Sequence, residues 1–235
     1  MKFRLPRQVI SADVKKIIDR EVKKQKLAVL RASSRHLQQL AKVSQLIIKD
    51  GLPKYLVRRK LPHQLGHGIF LHPRSKPLVK GQMVAFYSGK TVILPQNKPD
   101  NALYSFEPIA DMTLFKEEQR YWDPSSVYRP TRLYSLQVDA LKTGNFTRFI
   151  NHSDQPNVIA ELVRIPKNQY GLSPSTLEVV YLVKKTIRPG EQLLVCYDGD
   201  AHSYWRALDI KPFPLLPDTF HLIANKNTIQ MVSTL

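Results

Sequence analysis

The stretch TRFINHSDQPN, residues 147–157, decides the fold, because two further motifs accompany it in a fixed order along the chain. The first, LGHGIF at residues 65–70, places two glycines directly before an apolar run. Alone, such a Gly-x-Gly pair indicates only a tight bend before a strand. The second, GEQLLVCY at residues 190–197, lies on the other side of the central stretch. The occurrence of all three motifs in this order by chance is remote.

Together the three motifs resemble those of the SET-domain protein lysine methyltransferases. Residues 147–157 are similar to the family's R-F-I-N-H-S-x-x-P-N signature, and Asp139-Ala140 and Gly144-Asn145 precede them at the spacing that relatives show. The compact form without a cysteine-rich tail resembles the bacterial, chlamydia-type branch. The resemblance extends from Leu56 to Leu208. It implies a mainly β SET fold of small sheets with a knot-like crossing, preceded by an α-helical N-terminal segment.

The resemblance implies that S-adenosyl-L-methionine is the cofactor. In-line methyl transfer depends mainly on positioning, with little covalent help from the protein. Glycines in the first motif would let backbone amides approach the methionine part of the cofactor, and an arginine of the central stretch would lie nearby as a counter-charge. The cofactor-binding residues that the resemblance implies are Gly66, His67, Gly68, Arg148, Asn151, His152 and Trp205.

Two of these residues have an alternative interpretation. His152 would contact the adenine through its backbone, and its imidazole is then either part of the site or a structural side chain with its hydrogen bonds satisfied. Trp205 would stack on the adenine, with Tyr204 as a second candidate. Alternatively, Trp205 anchors a short helix over residues 203–208 to the core.

Two tyrosines are the implied catalytic residues. Tyr197 matches the family's catalytic tyrosine, whose hydroxyl would face the transferring methyl group together with backbone carbonyls. Tyr87 matches a second tyrosine of the lysine channel, and the alternative is a half-buried strand aromatic. Because a free lysine has a pKa near 10.4, its deprotonation at pH 7 costs roughly 4.6 kcal/mol, and no general base is evident. Ala160 and Val195, where some relatives carry tyrosines, predict a channel wide enough for di- or trimethylation. The alternative is that Tyr104, Tyr128 or Tyr134 fills this space.

No metal site is expected. Cys196 is the only cysteine, so neither a disulfide within the chain nor a four-cysteine zinc site can form. Asp154 stands where many relatives carry a cysteine after N-H-S, and no cysteine-rich segment follows Tyr197. The zinc that closes the channel in those relatives is therefore predicted to be absent here.

Positive charge is concentrated at the N-terminus. Of 36 basic and 19 acidic residues, 17 basic and 4 acidic residues lie in residues 1–60, a net charge of +13 out of +17. This predicts a basic helical arm over residues 1–52. The resemblance implies a SET domain over 53–210 with an insertion at 97–132, followed by a tail at 211–235. A strongly basic segment favours polyanionic partners, so residues 1–50 are predicted to contact nucleic acid non-specifically. The alternative is a scaffold helix with solvated lysines.

Hydrophobic periodicity places helices before residue 51 and strands after it. Apolar residues recur at steps of three and four between Ser11 and Gly51, and Ser33-Ser34 either separates two helices or lies within one. The apolar stripe is expected to pack on the catalytic domain or on a second copy, giving a possible homodimer. The predicted strands are Gly68–His72, Met83–Tyr87, Thr91–Leu94, Leu133–Val138, Val158–Val163, Leu177–Val183 and Gln192–Cys196.

The function that these features predict is S-adenosylmethionine-dependent lysine N-methylation of histones or histone-like basic proteins. The alternative is a catalytically silent SET-fold module that docks on chromatin or nucleic acid through its basic arm. No nucleophile elbow, metal-binding histidine pair or dinucleotide fingerprint supports a hydrolase or an oxidoreductase. Without a cleavable signal peptide or a long apolar segment, the expectation is a soluble protein of the bacterial cytoplasm or a secreted effector that reaches a host nucleus.

Overall fold

The computed structural model describes residues 12–61, 66–96, 104–122, 132–153, 155–197, 220–225 and 228–233. Strands dominate these ranges, and two of the three helices lie at the N-terminus, so the mainly β fold with an α-helical start is confirmed. The helices are α1 Ala12–Lys24, α2 Ser34–Asp50 and α3 Lys116–Trp122, with a 3-10 helix at Phe146–Phe149. The strands are β1 Leu30–Arg31, β2 Leu56–Lys60, β3 His67–Leu71, β4 Met83–Phe86, β5 Lys90–Pro95, β6 Ser105–Met112, β7 Tyr134–Asp139, β8 Asn151–His152, β9 Val158–Ile165, β10 Ser175–Val183, β11 Leu194–Val195, β12 Phe220–Asn225 and β13 Thr228–Ser233.

The largest sheet brings the central stretch and the third motif together. Its strand order is β4-β10-β9-β11-β8, and β1 adds to β9 in parallel. β11 runs parallel to β8, with Leu194 opposite Asn151 and Val195 opposite His152. Asn157 fastens this pairing, because its amide nitrogen donates to the Gln192 carbonyl at 2.7 Å and its amide oxygen accepts from the Leu194 N–H at 2.8 Å. Segments about forty residues apart in sequence therefore lie side by side.

The described residues form three smaller sheets besides the largest one. β2 pairs with β3, β12 pairs with β13, and β7 lies between β5 and β6. β6 belongs to the segment interpreted as an insertion, residues 97–132, and α3 follows it. The insertion therefore adds a strand to a sheet instead of forming only an irregular loop.

The N-terminal segment consists of two helices, which decides the question that Ser33-Ser34 left open. Ser33 caps α2, its side-chain oxygen accepting from the His36 N–H at 3.3 Å, and Gly51 ends the helix as expected, in a positive-φ conformation. Two short elements separate the helices: a turn after α1 and strand β1, which pairs with β9. Ser11, the expected cap of α1, lies outside the described residues.

Both N-terminal helices are packed onto the sheets. Ile17 and Ile18 of α1 lie in a core formed with side chains of β5, β6 and β7. Leu37 and Leu40 of α2 lie in a second core with side chains of β4, β9 and β10. The apolar faces are thus covered by the chain itself, although the predicted domain boundary at residue 52 stays a prediction.

A charged cluster adds a polar connection between α1 and the segment after β6. Arg20 donates to the Glu118 carboxylate at 2.8 Å and to the Thr113 carbonyl at 2.8 Å. Glu21 is fully buried and pairs with Arg20 at 3.2 Å and with Lys24 at 3.7 Å. Because a buried carboxylate is stable only when paired, these cations hold α1 in one register against the insertion.

All seven predicted strands coincide with observed strands, although β11 is shorter than its predicted range. The other six strands of the described ranges, β1, β2, β6, β8, β12 and β13, were not predicted. The short helix expected over residues 203–208 lies outside the described residues. None of the helices in the described ranges is long and apolar enough to cross a membrane.

Candidate active site

The two glycines before β3 occupy positions that favour glycine for different reasons. Gly66 has a φ of 71°, a backbone conformation that other residues rarely adopt. A Cβ on Gly68 would lie 2.6 Å from the side-chain nitrogen of Gln192, which is closer than atoms can pack. That nitrogen is buried and has no hydrogen-bond partner among the described residues. The glycine turn, residues 66–68, is therefore shaped for close approach and lies beside a buried donor.

Asn151 joins the central stretch to the glycine turn. Its amide nitrogen donates to the carbonyl of His67 at 3.0 Å, across 84 residues of sequence. Because Asn151 lies in β8, next to β11, this bond places the glycine turn and the third motif on either side of one asparagine. The sequence-predicted residues Gly66, His67, Gly68 and Asn151 are thus brought together.

His152 lies in the core beneath Tyr197. Its side chain is 5% exposed, and its Nδ1 accepts a hydrogen bond from the Tyr197 backbone N–H at 3.1 Å. The two rings are 5.4 Å apart between centroids. By accepting at Nδ1, the imidazole of His152 fixes the backbone of Tyr197. This placement favours the structural interpretation of its side chain, with its backbone left to contact a cofactor.

The two predicted catalytic tyrosines are joined by a third tyrosine. Tyr197 is 36% exposed and its hydroxyl donates to the Ile150 carbonyl at 3.0 Å. Tyr87 is buried and its hydroxyl donates to the Tyr104 carbonyl at 2.7 Å. Tyr181 is almost fully buried, with its ring centroid 5.8 Å from that of Tyr87.

Burial raises the pKa of Tyr181 well above its usual value, and the neighbouring hydroxyls of Tyr197 and Tyr87 raise it further. The group therefore stays protonated at neutral pH. Tyr181 also lies directly opposite Ala160 across the β9–β10 pair. No motif indicated Tyr181, since it lies within an ordinary apolar strand, and the small residue opposite it in register is visible only in the structure.

Arg148 lies in a cluster of cations and rings beside the glycine turn. Its guanidinium donates to the carbonyls of Ala140 at 2.9 Å and Leu141 at 2.6 Å, and it lies 4.8 Å from the Phe149 ring centroid. The same ring contacts His67, at 6.0 Å between centroids, and Arg58, at 5.1 Å. The Nε of Arg148 is buried without a partner among the described residues, so one donor remains for a ligand.

Sequence reasoning missed Arg58, and it named Tyr104, the other member of this cluster, only as a residue that could narrow the lysine channel. Arg58 lies in β2 opposite Ile69, and Tyr104 lies just before β6. Neither belongs to a motif, and only the pairing of β2 with β3 could have pointed to Arg58. Trp205, the predicted adenine-stacking residue, lies outside the described residues, as does its alternative Tyr204. Within the part of the chain that is described, no group of three or more histidine, cysteine or acidic side chains could hold a metal ion.

Comparison with known proteins yields a family match over this site. The SET domain family model matches residues 66–198, which is more than half of the chain. SET domain-containing protein 4 of Saccharomyces cerevisiae is 27% identical over 177 residues, covering 73% of this chain and 29% of that protein. The histone-lysine N-methyltransferase, H3 lysine-4 specific, of Schizosaccharomyces pombe is 31% identical over 120 residues, covering 50% of this chain and 10% of that protein. The chain thus spans less than a third of either relative.

A solved structure of ATXR5 in complex with monomethylated histone H3.1 has a similar fold. The TM-score is 0.50 at 17% sequence identity, with 75% of this chain and 71% of that chain covered. At this identity the likeness concerns the fold alone. The placement in a bacterial branch stays a prediction, and both curated relatives named above are fungal.

Proposed function

The chain belongs to the SET domain family, and we propose that it is an S-adenosylmethionine-dependent protein-lysine N-methyltransferase. The observation that carries this proposal is the pairing of β8 with β11. That pairing sets the Tyr197 hydroxyl against the Ile150 carbonyl, while Asn151 in the same strand reaches the glycine turn. One pair of two-residue strands thus positions both Asn151, a proposed cofactor-binding residue, and Tyr197, a proposed catalytic residue.

The residues around the glycine turn fit S-adenosylmethionine. The cofactor, when bound, supplies an electrophilic methyl group on a sulfonium, together with a carboxylate that needs donors. Two buried donors, Gln192 Nε2 and Arg148 Nε, have no partner among the described residues. The absence of a side chain at Gly68 leaves room for close approach to one of them. Gly66, His67, Gly68, Arg148, Asn151 and the backbone of His152 are therefore proposed as the cofactor-binding residues.

The tyrosines are proposed to orient the substrate amine and keep its surroundings uncharged. Tyr197 and Tyr87 both donate to main-chain carbonyls, which fixes the positions of their hydroxyl oxygens for weak contacts with a methyl group or an amine. Tyr181 contributes a third hydroxyl that stays neutral because burial raises its pKa. These hydroxyls carry no negative charge that would stabilise a lysine ammonium, so the neutral amine is favoured beside them. Loss of the lysine proton to water would free a lone pair on the amine, which would take the methyl group as its bond to the sulfonium sulfur breaks and the neutral thioether leaves.

Histones or histone-like basic proteins are the proposed substrates. The support is that a relative 31% identical over half of this chain carries the name of a histone-lysine methyltransferase. Because the shared region is a tenth of that relative, the same substrate does not follow from the resemblance alone.

Non-specific contact with nucleic acid through the N-terminal segment is the proposed partner interaction. The lysines of α1 at positions 15, 16, 23 and 24 are exposed, while its apolar residues are buried against the sheets. The helix thus combines the scaffold role and the basic surface, two interpretations that the sequence offered as alternatives. Phosphate contacts by such lysines would place the enzyme on the polyanion that carries a basic substrate.

Incubation with radiolabelled S-adenosylmethionine and a panel of basic proteins tests the proposed activity. We expect label on at least one histone or histone-like protein, label that is absent with the Asn151→Ala variant. Binding of the cofactor without transfer to any member of the panel would favour the catalytically silent module instead.

Chelators are expected to leave the activity unchanged. Loss of activity in EDTA that zinc restores would contradict the expected absence of a metal site.

A further inference from the structure

A concave site lies between α2 and the chain that connects β3 to β4. Its volume is about 600 Å³, within the range of sites that hold small ligands or short peptide segments. We call this site the α2 groove. Its apolar lining comes from Val43 and Leu46 of α2 and from Leu78 and Met83 on the opposite side. None of the predicted catalytic or cofactor-binding residues lines it.

The amide side chains in the α2 groove present donors to a ligand. Gln39 uses its side-chain oxygen to accept from the Met83 N–H at 3.1 Å, and Gln82 uses its oxygen to accept from the Val79 N–H at 3.3 Å. Each side-chain oxygen already accepts one hydrogen bond, and the two NH₂ groups, which donate none to the described residues, are available as donors to a ligand.

Tyr55 adds a third neutral donor to the lining. Burial raises the pKa of its hydroxyl to about 12, so the proton remains on the oxygen at neutral pH.

Two lysines give the groove its charge. Lys42 comes from α2 and Lys76 from the β3–β4 connection, the two elements that border the groove. No aspartate or glutamate lines the groove, and neither lysine forms an ion pair within the described ranges. The polar lining thus consists mainly of donors and cations, which is complementary to a ligand rich in carboxylate oxygens.

We propose that the α2 groove binds an acidic peptide segment of a partner protein, in which large apolar side chains are flanked by carboxylates. The apolar residues would contact Val43, Leu46 and Met83, and carboxylates on either side would meet Lys42 and Lys76. A peptide fits better than a single-headed amphiphile, because the two cations come from separate elements and call for two separated anions. A basic substrate would be repelled, so the groove serves a different partner from the methylation site.

Fluorescence anisotropy with the labelled peptide EELFEE and the full chain tests this proposal. The matched peptide EESSEE lacks the apolar pair, and KKLFKK reverses the charge. We expect EELFEE to bind at least tenfold more tightly than either. Equal binding of EELFEE and EESSEE, or no binding of EELFEE at millimolar protein, would overturn the proposal. The assay measures binding alone, so its outcome is independent of methyl transfer.

Charge reversal at the groove supplies the matched variant. We expect Lys42→Glu combined with Lys76→Glu to weaken EELFEE binding at least tenfold. Lys15→Glu combined with Lys23→Glu makes the same change in net charge on exposed positions of α1 and should alter binding less than twofold. Equal losses in both pairs would show a general field effect and contradict a site. If the glutamate variants do not fold, the corresponding glutamine variants carry the same comparison.

Competition separates the peptide from other occupants. Decanoate, an apolar chain with one carboxylate, should displace the peptide only weakly. Displacement by decanoate at concentrations where the acetylated, unlabelled peptide is no more effective would assign the groove to a small amphiphile and overturn the proposal.

Discussion

The strands of the active site and the helices of the N-terminal segment are both integral to the folded chain, but different forces hold them. Around β8 and β11, polar side chains bond to main-chain groups at fixed points, as Asn157 does with Gln192 and Leu194. Around α1 and α2, apolar side chains such as Ile17 and Leu40 are buried in broad cores. Directional bonds fix the positions of individual atoms, whereas apolar burial fixes whole elements.

This difference determines what a substitution changes in each region. In the active site, removal of one polar group should abolish a step of the reaction while most of the folding free energy remains. In the N-terminal helices, removal of one apolar group should lower the folding free energy while the activity of the folded fraction remains. The predictions below test this separation.

The largest effect is expected for Tyr197→Phe. Loss of a positioned hydroxyl at the reacting centre should reduce methyl transfer by at least about a hundredfold, the scale seen when one preorganised hydrogen-bonding group is removed. The lost bond to the Ile150 carbonyl should lower the free energy of unfolding by only about 1 kcal/mol. Tyr170→Phe, in a turn away from the site, is the matched control. Methyl transfer by Tyr197→Phe at the wild-type rate would contradict the proposed catalytic role of Tyr197.

The second-largest effect is expected for Asn151→Ala, which should weaken cofactor binding. A hydrogen bond to a charged group contributes roughly 1.5–3 kcal/mol, which corresponds to about a ten- to hundredfold increase in Kd. Isothermal titration calorimetry with S-adenosylmethionine measures it. Asn168→Ala, whose amide bonds within a turn, should leave Kd unchanged. Equal affinities of the two variants for S-adenosylmethionine would contradict a contact between Asn151 and the cofactor.

Leu40→Ala examines the other side of the comparison. The side chain is 1% exposed, so its truncation should lower the free energy of unfolding by about 2–5 kcal/mol. Methyl transfer per folded molecule should stay unchanged. The exposed neighbour Gln38→Ala should shift stability by less than about 0.5 kcal/mol. Urea unfolding measures both.

We also expect a chain that lacks residues 1–50 to aggregate, and a soluble, active truncated chain would show that the segment is a separate arm.

Neutralising exposed lysines on α1 should have a smaller effect, confined to nucleic-acid binding. Lys15→Gln combined with Lys23→Gln should reduce the slope of log K against log salt for duplex DNA by up to about 0.9 for each lysine that contacts a phosphate. Methylation of a free peptide should not change. An unaltered slope, measured by gel shift at several salt concentrations, would leave these lysines as solvated charges.

The smallest expected effect is a change of stability at high pH. Because burial raises the pKa of Tyr181 in the folded chain, folding favours the protonated hydroxyl. Its contribution is fully present below the unfolded pKa near 10 and is lost as pH rises above that value. Urea unfolding at pH 8 and pH 10.5 should show a decrease that Tyr181→Phe reduces. An equal decrease in the variant would assign the effect to other groups.

The three motifs named residues that the fold brings together, such as His67 and Asn151, while the roles of these residues stay predictions. The apolar period of α1 and α2 predicted helices, but a period does not say which surface covers an apolar stripe. The net charge drew attention to polyanions, while the burial of Glu21 and its pairing with Arg20 became visible only in the structure.

Two of the strands that sequence reasoning missed, β2 and β6, have physical explanations. β6 contains Pro108, which is unfavourable in a strand interior, and its pairing with β7 shifts register twice. β2 carries three consecutive cationic side chains, Arg58 to Lys60, that hide its alternation. Tyr181 and Ala160 become neighbours through the register of β9 and β10, which no local pattern specifies. Long-range pairing is therefore the information that the sequence alone lacked.

Mass spectrometry of a protein substrate after reaction with S-adenosylmethionine bearing a deuterated methyl group tests the central claim most directly. The account predicts deuterated methyl on the side-chain nitrogen of lysine, with dimethyl or trimethyl species under excess cofactor because Ala160 and Val195 are small. It also predicts no label with Tyr197→Phe. Label on arginine, or an equal amount of label with Tyr197→Phe, would contradict lysine methylation at this site.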